Sequence, residues 1–272
     1  MADAPPTPRP DAPSGPIGIF DSGVGGLSVA REIRRALPSE TLLYVADTAY
    51  CPYGDRPLEE VRTRALAVGR YLQDAGSKLL VAACNTASGA ALEDLRAALS
   101  IPVIGLEPAL KTGVARTRAR RVGVMATSGT LRSERFARLL TAHGDGVLVL
   151  PQACPGLADL IEDGHLDGEV LVACLQELTR PLREAGVDTV VLGCTHYAFV
   201  EEALARVLGP NVTLVDSAPA IAKRTAHLLE QAGAPRAGDG GLEVRTTGDP
   251  EKVAPVVERL WGSTVPVAAV RI

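Results

Sequence analysis

Short apolar runs alternate with longer amphipathic stretches along most of the chain. A short continuous apolar run is typical of a strand buried on both faces, and apolar residues at every third or fourth position are typical of a helix. The runs that predict strands are 16–21 (PIGIFD), 41–47, 78–84 (KLLVAAC), 102–106, 121–126, 146–151, 188–194 (DTVVLGC) and 212–217. The stretches that predict helices include 27–37, 58–76, 88–99, 169–182, 197–208 and 218–233. This alternation predicts an α/β fold with mostly parallel sheets.

The sequence also repeats itself. The segment DAGSKLLVAACNT, residues 74–86, aligns without a gap with EAGVDTVVLGCTH, residues 184–196, so that two cysteines lie 110 positions apart. The segment GPIGIFDSGVGGLS, residues 15–28, resembles RRVGVMATSGTLRS, residues 120–133, and the serines of their Ser-Gly turns, Ser22 and Ser128, lie 106 positions apart. Similar offsets in the same order indicate duplication. We therefore expect two similar three-layer α/β domains, related by a pseudo-twofold axis, with the active site in the cleft between them.

The limits of the repeat predict the domain boundaries. Domain 2 is expected to span 107–216, and domain 1 to span 16–106 together with 217–272, because the last segment lies outside the repeat. In that segment a predicted helix and the strand EVRTTG are expected to return to domain 1. Residues 1–15 are rich in proline and predict a disordered tail without the apolar region of a secretory signal.

Composition and charge exclude several classes of protein. The 272-residue chain is 46% apolar and 22% charged, like an ordinary globular protein, and its net charge of −4 argues against nucleic acid as a partner. No 18-residue apolar run occurs, so a membrane partner is not expected. The five cysteines form no CxxC pair, which indicates neither a disulfide framework nor a metal site. Free thiols are typical of a cytoplasmic protein.

Two cysteines, Cys84 and Cys194, follow predicted strands and precede predicted helices. Ligands of open α/β sheets collect at this edge, and a helix N-terminus favours a thiolate or a bound carboxylate. Polar residues stand directly beside the thiols: Asn85, Thr86, Thr195 and His196. A lone cysteine here could equally be a small core residue, but a matched pair indicates chemistry. Racemisation needs one acid/base group on each face of a carbon, and the chain shows no clear pyridoxal lysine context, so no cofactor is expected.

Three further loops offer candidate contacts. IFDSGVGGLS, residues 19–28, has neither the dinucleotide nor the P-loop spacing, but it makes Asp21 and Ser22 candidates for substrate contact. A helix cap is the alternative for Asp21. The turn Pro52-Tyr53-Gly54 could offer backbone donors to a carboxylate, or be an ordinary turn. ATSGT, residues 126–130, is the counterpart of IFDSGVGGLS in the second domain and offers hydroxyl groups.

Six stretches together resemble the glutamate racemases of the cofactor-independent aspartate/glutamate racemase superfamily: GIFDSGVGGLSV, VADTAYCPYGDR, AACNTASG, ATSGTLRS, ACPGLADLIEDG and LGCTHY. The resemblance covers nearly all of residues 16–220. It implies that Cys84 and Cys194 are the catalytic acid/base residues, one for each face of the glutamate α-carbon. Asp21 would assist Cys84, and His196 with Glu162 would assist Cys194.

The resemblance also implies the substrate contacts and the product. Asp21 and His196 would contact glutamate together with Ser22, Asn85, Thr86, Thr195, Pro52, Tyr53, Gly54, Thr127 and Thr130. The product would be D-glutamate for peptidoglycan synthesis, made without cofactor or metal by a cytoplasmic protein that we expect to form a homodimer. Ala198 after CTHY and Gly156–Ala158 after ACP depart from the family pattern without replacing an acid/base residue.

Three alternatives remain open at this point. A racemase that acts on aspartate would share the same residues. A decarboxylase of the superfamily needs only one thiol, so the second cysteine argues against it. In a non-catalytic binding module both cysteines would belong to the core and would react slowly with alkylating agents.

Overall fold

The structure, a computed structural model, describes residues 14–234 and 240–272. Residues 1–13 of the tail predicted for 1–15 therefore lie outside the described residues. Ten strands and eleven α-helices alternate along the described parts. The strands are β1 Ile17–Asp21, β2 Leu42–Ala46, β3 Leu79–Ala82, β4 Val103–Gly105, β5 Arg121–Ala126, β6 Leu148–Ala153, β7 Thr189–Leu192, β8 Thr213–Val215, β9 Leu242–Thr246 and β10 Val267–Ala269. The helices are α1 Leu27–Ala36, α2 Leu58–Asp74, α3 Asn85–Ala98, α4 Leu110–Arg116, α5 Ser128–Arg132, α6 Glu134–His143, α7 Leu157–Glu162, α8 Glu169–Glu184, α9 Glu201–Leu208, α10 Ala218–Ala232 and α11 Pro250–Trp261.

The strands form two parallel sheets with matching order. The first sheet has six strands in the order β10-β9-β2-β1-β3-β4, and the second has four in the order β6-β5-β7-β8. When β5 to β8 are laid over β1 to β4, the two orders coincide, which is the duplication that the sequence predicts. We call the part of the chain built on the six-stranded sheet the first half, and the part built on the four-stranded sheet the second half. The predicted α/β fold with two similar halves is confirmed.

Apolar clusters cover both faces of each sheet. In β1, Ile17 and Ile19 pack on one side against α1, α10 and α11, while Phe20 packs on the other side against α2 and α3. In the second half, Met125 of β5 faces α8 and α9, and Val124 faces α4 and α6. Because successive strand residues point to opposite faces, strands covered on both sides must be continuously apolar. Each half therefore has three layers, as predicted.

The details differ from the pattern in a few places. The segment 197–208, predicted as one helix, begins as a 3₁₀ helix, Thr195–Val200, and becomes α-helical only at Glu201. β10, close to the C-terminus, escapes the pattern because it is three residues long and largely exposed. It extends the first sheet beside β9, which itself pairs with β2. In the described part of the chain, no helix is long and apolar enough to cross a bilayer.

Candidate active site

Cys84 and Cys194 occupy equivalent places in the two halves. Cys84 follows β3 and is the N-cap residue of α3, where its Sγ accepts a hydrogen bond from the Ala87 N–H at 3.5 Å. Cys194 follows β7 and caps the 3₁₀ helix that begins at Thr195. Both residues are buried, with 6% and 7% of their surface exposed. The parallel strands thus deliver one thiol from each half to the same edge of the molecule.

Both thiols line one narrow cleft. It is lined by nearly all residues that the sequence singles out: Asp21, Ser22, Pro52, Tyr53, Gly54, Cys84, Asn85, Thr86, Thr127, Thr130, Cys194, Thr195 and His196. Ala158 and Gly193 also line it, although the sequence gives no signal for a site role at either position. Glu162 does not line the cleft but lies directly behind His196. The predicted set is therefore brought together by both halves.

A histidine and a glutamate support Cys194. The Nδ1 atom of His196 lies 3.6 Å from the Cys194 Sγ, and its Nε2 atom lies 2.5 Å from the Glu162 Oε1. Burial alone would lower the pKa of His196, but the hydrogen bonds and negative charges of Cys194 and Glu162 outweigh it and hold this pKa well above its usual value. The His196 ring therefore links the sulphur of Cys194 to the carboxylate of Glu162.

A carboxylate, and no histidine, supports Cys84. Burial raises the pKa of the Cys84 thiol well above its ordinary value, and the negative charge of Asp21 raises it further. Burial also raises the pKa of Asp21, although His196, Cys84 and Thr195 act in the opposite direction. The Asp21 carboxylate accepts hydrogen bonds from the Ser22 N–H at 2.7 Å and from the Thr195 hydroxyl at 2.9 Å. Asp21 is not a helix cap, because α1 begins at Leu27 with Gly26 as its N-cap residue.

The glycine loop of the first half packs on the acid/base pair of the second half. A Cβ atom on Gly25 would lie 2.3 Å from the His196 Nδ1, and one on Gly23 would lie 1.9 Å from the Glu162 Oε1. Glu162 also accepts a 2.7 Å hydrogen bond from the Val24 N–H. The glycines therefore allow the backbone of this loop to approach His196 and Glu162 closely. Sequence reasoning missed this contact, since nothing local marks a partner more than 130 residues away.

Polar groups converge on the remaining wall of the cleft. Both side-chain amide atoms of Asn85 are buried and accept or donate no hydrogen bond within the described structure. Beside it, the Thr86 hydroxyl lies 2.8 Å from that of Thr127 and 3.2 Å from that of Thr130, so this hydroxyl cluster spans the two halves. A buried amide without partners is unfavourable unless a ligand satisfies it. Asn85 is therefore placed to bind a polar group in the cleft.

The Pro52–Gly54 turn is held from behind by a buried ion pair. Its Tyr53 hydroxyl donates a 2.5 Å hydrogen bond to Asp47, and Asp47 pairs with the Arg64 guanidinium at 2.8 Å. The predicted rigid turn is found as a 3₁₀ helix over Tyr53–Asp55. The Asp47–Arg64 pair was not predicted, because two charges 17 positions apart in different elements carry no shared pattern.

The chain matches the family model described as Asp/Glu/hydantoin racemase over residues 17–225. It is 45% identical over 254 residues to the glutamate racemase of Roseiflexus sp., covering 92% of this chain and 93% of the relative. Its fold is similar to the crystal structure of a glutamate racemase isoform of Bacillus anthracis, with a TM-score of 0.86, 36% identity, and coverage of 96% of this chain and 98% of that chain.

A second solved structure is similar over almost the whole chain. It is the Escherichia coli glutamate racemase in complex with L-glutamate and an activator, with a TM-score of 0.84, 33% identity, and coverage of 94% of this chain and 98% of that chain. The match of the family model to most of the chain agrees with the paired cysteines of the cleft. The chain belongs to the Asp/Glu/hydantoin racemase family.

Proposed function

We propose that this protein is a glutamate racemase, which interconverts L- and D-glutamate without a cofactor by using two cysteine thiols. The observation that carries the proposal is the pair of buried thiols, Cys84 and Cys194, delivered to one cleft from equivalent positions of two similar halves. The similarity to glutamate racemases from several bacteria supports glutamate as the substrate.

The reaction requires one base and one acid. A thiolate on one side removes the α-proton, and a thiol on the other side donates a proton to the opposite face of the resulting carbanion. One C–H bond breaks, another forms, and the charge of the thiolate moves from one cysteine to the other. The raised pKa of Cys84 keeps this residue a neutral thiol, ready to donate. General acid/base catalysis of this kind contributes about 10²- to 10⁴-fold per group.

The surroundings of each thiol define the roles of the supporting residues. The imidazolium of His196 lies close enough to Cys194 to stabilise a thiolate there, and Glu162 fixes the imidazole ring. On the other side, Asp21 can receive the proton of the Cys84 thiol. Both carboxylates also hold the halves together, because Asp21 binds Thr195 and Glu162 binds the Val24 N–H.

Neutral donors would bind the substrate. Asn85, whose amide lacks partners, is assigned to the α-amino and α-carboxylate groups together with Ser22, Thr86 and Thr195. The side-chain carboxylate is assigned to the Pro52–Gly54 turn with Thr127 and Thr130. Helix N-termini behind these residues favour negatively charged groups.

The cellular role is part of the same proposal. D-Glutamate would serve peptidoglycan synthesis in the cytoplasm, and the protein would act as a homodimer. We propose domain boundaries at 16–106 plus 217–272 and at 107–216, supported by β9 pairing with β2 of the first sheet.

The test is racemisation of L-glutamate by purified protein in D₂O without pyridoxal phosphate. We expect D-glutamate that carries deuterium at the α-carbon, formed at least 100-fold faster than D-aspartate is formed from L-aspartate. Faster racemisation of aspartate than of glutamate would assign aspartate as the substrate and would leave the proposed mechanism unchanged. Decarboxylation, or no reaction with either amino acid, would contradict the proposal.

A further inference from the structure

Cys51, a third cysteine at the active site, has no role in the proposed reaction. By sequence alone it precedes Pro52 and could be a structural residue of the turn. In the structure its Sγ belongs to a group with a carboxylate oxygen of Glu162 and a ring nitrogen of His196, and these three atoms lie within 4.8 Å of one another. They come from three separate segments of the two halves, so the sequence could not predict the grouping.

Sulphur, imidazole nitrogen and carboxylate oxygen are the three ligand types that zinc prefers in proteins. Three protein ligands with one open position are typical of zinc sites that are accessible to small molecules. Here His196 is buried, whereas Cys51 and Glu162 are half-buried, so an ion can reach the group from the surface. The three ligand atoms lie close enough together that small shifts of the side chains would let them surround one ion.

Glu162 retains a carboxylate oxygen that is free to coordinate an ion. The Glu162 Oε1 accepts hydrogen bonds from the Val24 N–H and His196, while its Oε2 accepts none from the residues that the structure describes. The Cα of Gly23 carries no side chain above the group. A Cβ atom there would lie 1.9 Å from the Glu162 Oε1 and 2.8 Å from the Cys51 Sγ, so glycine leaves the space between these two atoms clear.

The local charge also favours a cation. The carboxylate of Glu162 belongs to the group, and the Cys51 thiol becomes a second anion when a metal ion displaces its proton. A divalent ion would offset these two negative groups. Its binding would release the thiol proton of Cys51 and the Nε2 proton of His196, which balances the charge.

We propose that Cys51, Glu162 and His196 form an inhibitory Zn²⁺ site directly behind the active-site cleft, with His196 as the ligand that also lines the cleft. The bound ion takes the imidazole nitrogen that otherwise bonds to Glu162, and it fixes the ring that supports Cys194. Only the inhibitory effect rests on the proposed racemase function. Metal binding itself depends on the three ligands alone, so the two claims can fail separately.

The test measures metal binding in a full-length Cys84→Ala/Cys194→Ala variant, in which the two reactive thiols cannot contribute. Zn²⁺ is titrated by calorimetry, and Co²⁺ serves as a spectroscopic probe because a thiolate ligand gives a charge-transfer band in the near ultraviolet. We expect one ion per chain with that band. Adding Cys51→Ala should remove the band and weaken Zn²⁺ binding by at least about 100-fold, as expected for the loss of a direct ligand.

Cys174→Ala in the same background is the matched control, since Cys174 is also half-buried but lies on α8. It should leave the band and the affinity unchanged. Thermal unfolding verifies that each variant is folded, and Glu162→Gln, which should also weaken Zn²⁺ binding, provides a second variant. A band that persists after Cys51→Ala, or no binding in the starting variant, would overturn the site.

Inhibition is measured separately on the protein with both reactive thiols intact. Zn²⁺ should lower its kcat. The Zn²⁺ concentration that halves the metal-free rate should be at least about 10-fold higher for Cys51→Ser than for the unmodified protein. Equal sensitivity of the two proteins would show that the ion inhibits elsewhere.

Discussion

The two halves place a cysteine at the same position of the same fold, yet they surround it differently. Cys194 faces a histidine ring that is bound to a glutamate, whereas Cys84 faces a carboxylate. The shared strand order fixes where the thiols lie. The neighbouring residues give each thiol a different electrostatic environment.

The comparison also shows that neither half completes its own site. Asp21 of the first half binds Thr195 of the second half, and Glu162 of the second half binds the Val24 N–H of the first half. Each carboxylate therefore lies next to a group of the cleft and also forms a hydrogen bond between the halves. The contacts between the halves therefore also bring the candidate acid/base groups together.

Removing either thiol should have the largest effect. Cys84→Ala and Cys194→Ala should each lower kcat/KM for racemisation by at least about 10³-fold, because each removes the only acid/base group on one face. The measurement is circular dichroism of the product mixture. Cys174→Ala, in which a thiol outside the cleft is lost, should retain its rate. Residual activity above one-tenth in either single variant would show that the two faces do not need both thiols.

Changing the supporting groups should separate the two sides. His196→Asn and Asp21→Asn should each lower kcat/KM by about 10²-fold. The loss in kcat/KM must be equal for the two enantiomers, since the equilibrium constant of racemisation is one. The difference between the two sides should appear in the kinetic isotope effect, which compares the rates with α-protonated and α-deuterated substrate.

In His196→Asn the isotope effect should increase for the enantiomer whose proton Cys194 removes, and in Asp21→Asn for the opposite enantiomer. The measurement is the initial rate for each labelled enantiomer. An increase for the same enantiomer in both variants would contradict the assignment of one supporting group to each thiol.

Asn85 belongs to the first half only, since its counterpart after Cys194 is Thr195. Asn85→Ala should raise KM for glutamate by about 10- to 150-fold, as expected for a lost hydrogen bond to a charged group. The Tm of Asn85→Ala should be no lower than that of Asn85→Asp. In the ligand-free protein, the Asn85 side-chain amide has no hydrogen-bond partner among the described residues. An unchanged KM would place the substrate elsewhere in the cleft.

The smallest effect concerns stability. The folded pKa of Asp21 is raised above 3.8, so the folded protein binds this proton more tightly than the unfolded chain. The buried charge therefore destabilises the protein above its folded pKa, and this penalty disappears as the pH falls through that value. Asp21→Asn should raise Tm at pH 7 by about 2–4 °C for each 1 kcal/mol by which removal of the buried charge increases the free energy of unfolding. Thermal scans at several pH values should show the difference shrinking in acid.

Much of this arrangement could be predicted from the sequence. The periodicity of the strands and the 110-residue offset between two Cys motifs predicted the fold and the paired thiols, because both are local or repeated patterns. The contacts between the halves could not be predicted in this way. The packing of Gly25 on His196 and the grouping of Cys51 with Glu162 depend on how the halves close, and no periodic pattern records that geometry.

The central claim is that two thiols act on opposite faces of one carbon, and early-time exchange in D₂O tests it most directly. L-Glutamate with hydrogen at its α-carbon is converted to a small extent, and both enantiomers are separated and analysed by mass spectrometry. The account predicts that the D-glutamate carries deuterium while the remaining L-glutamate retains hydrogen, because the incoming proton comes from a different thiol. Deuterium in the remaining L-glutamate at the same rate as in the product would show a single base and contradict the account.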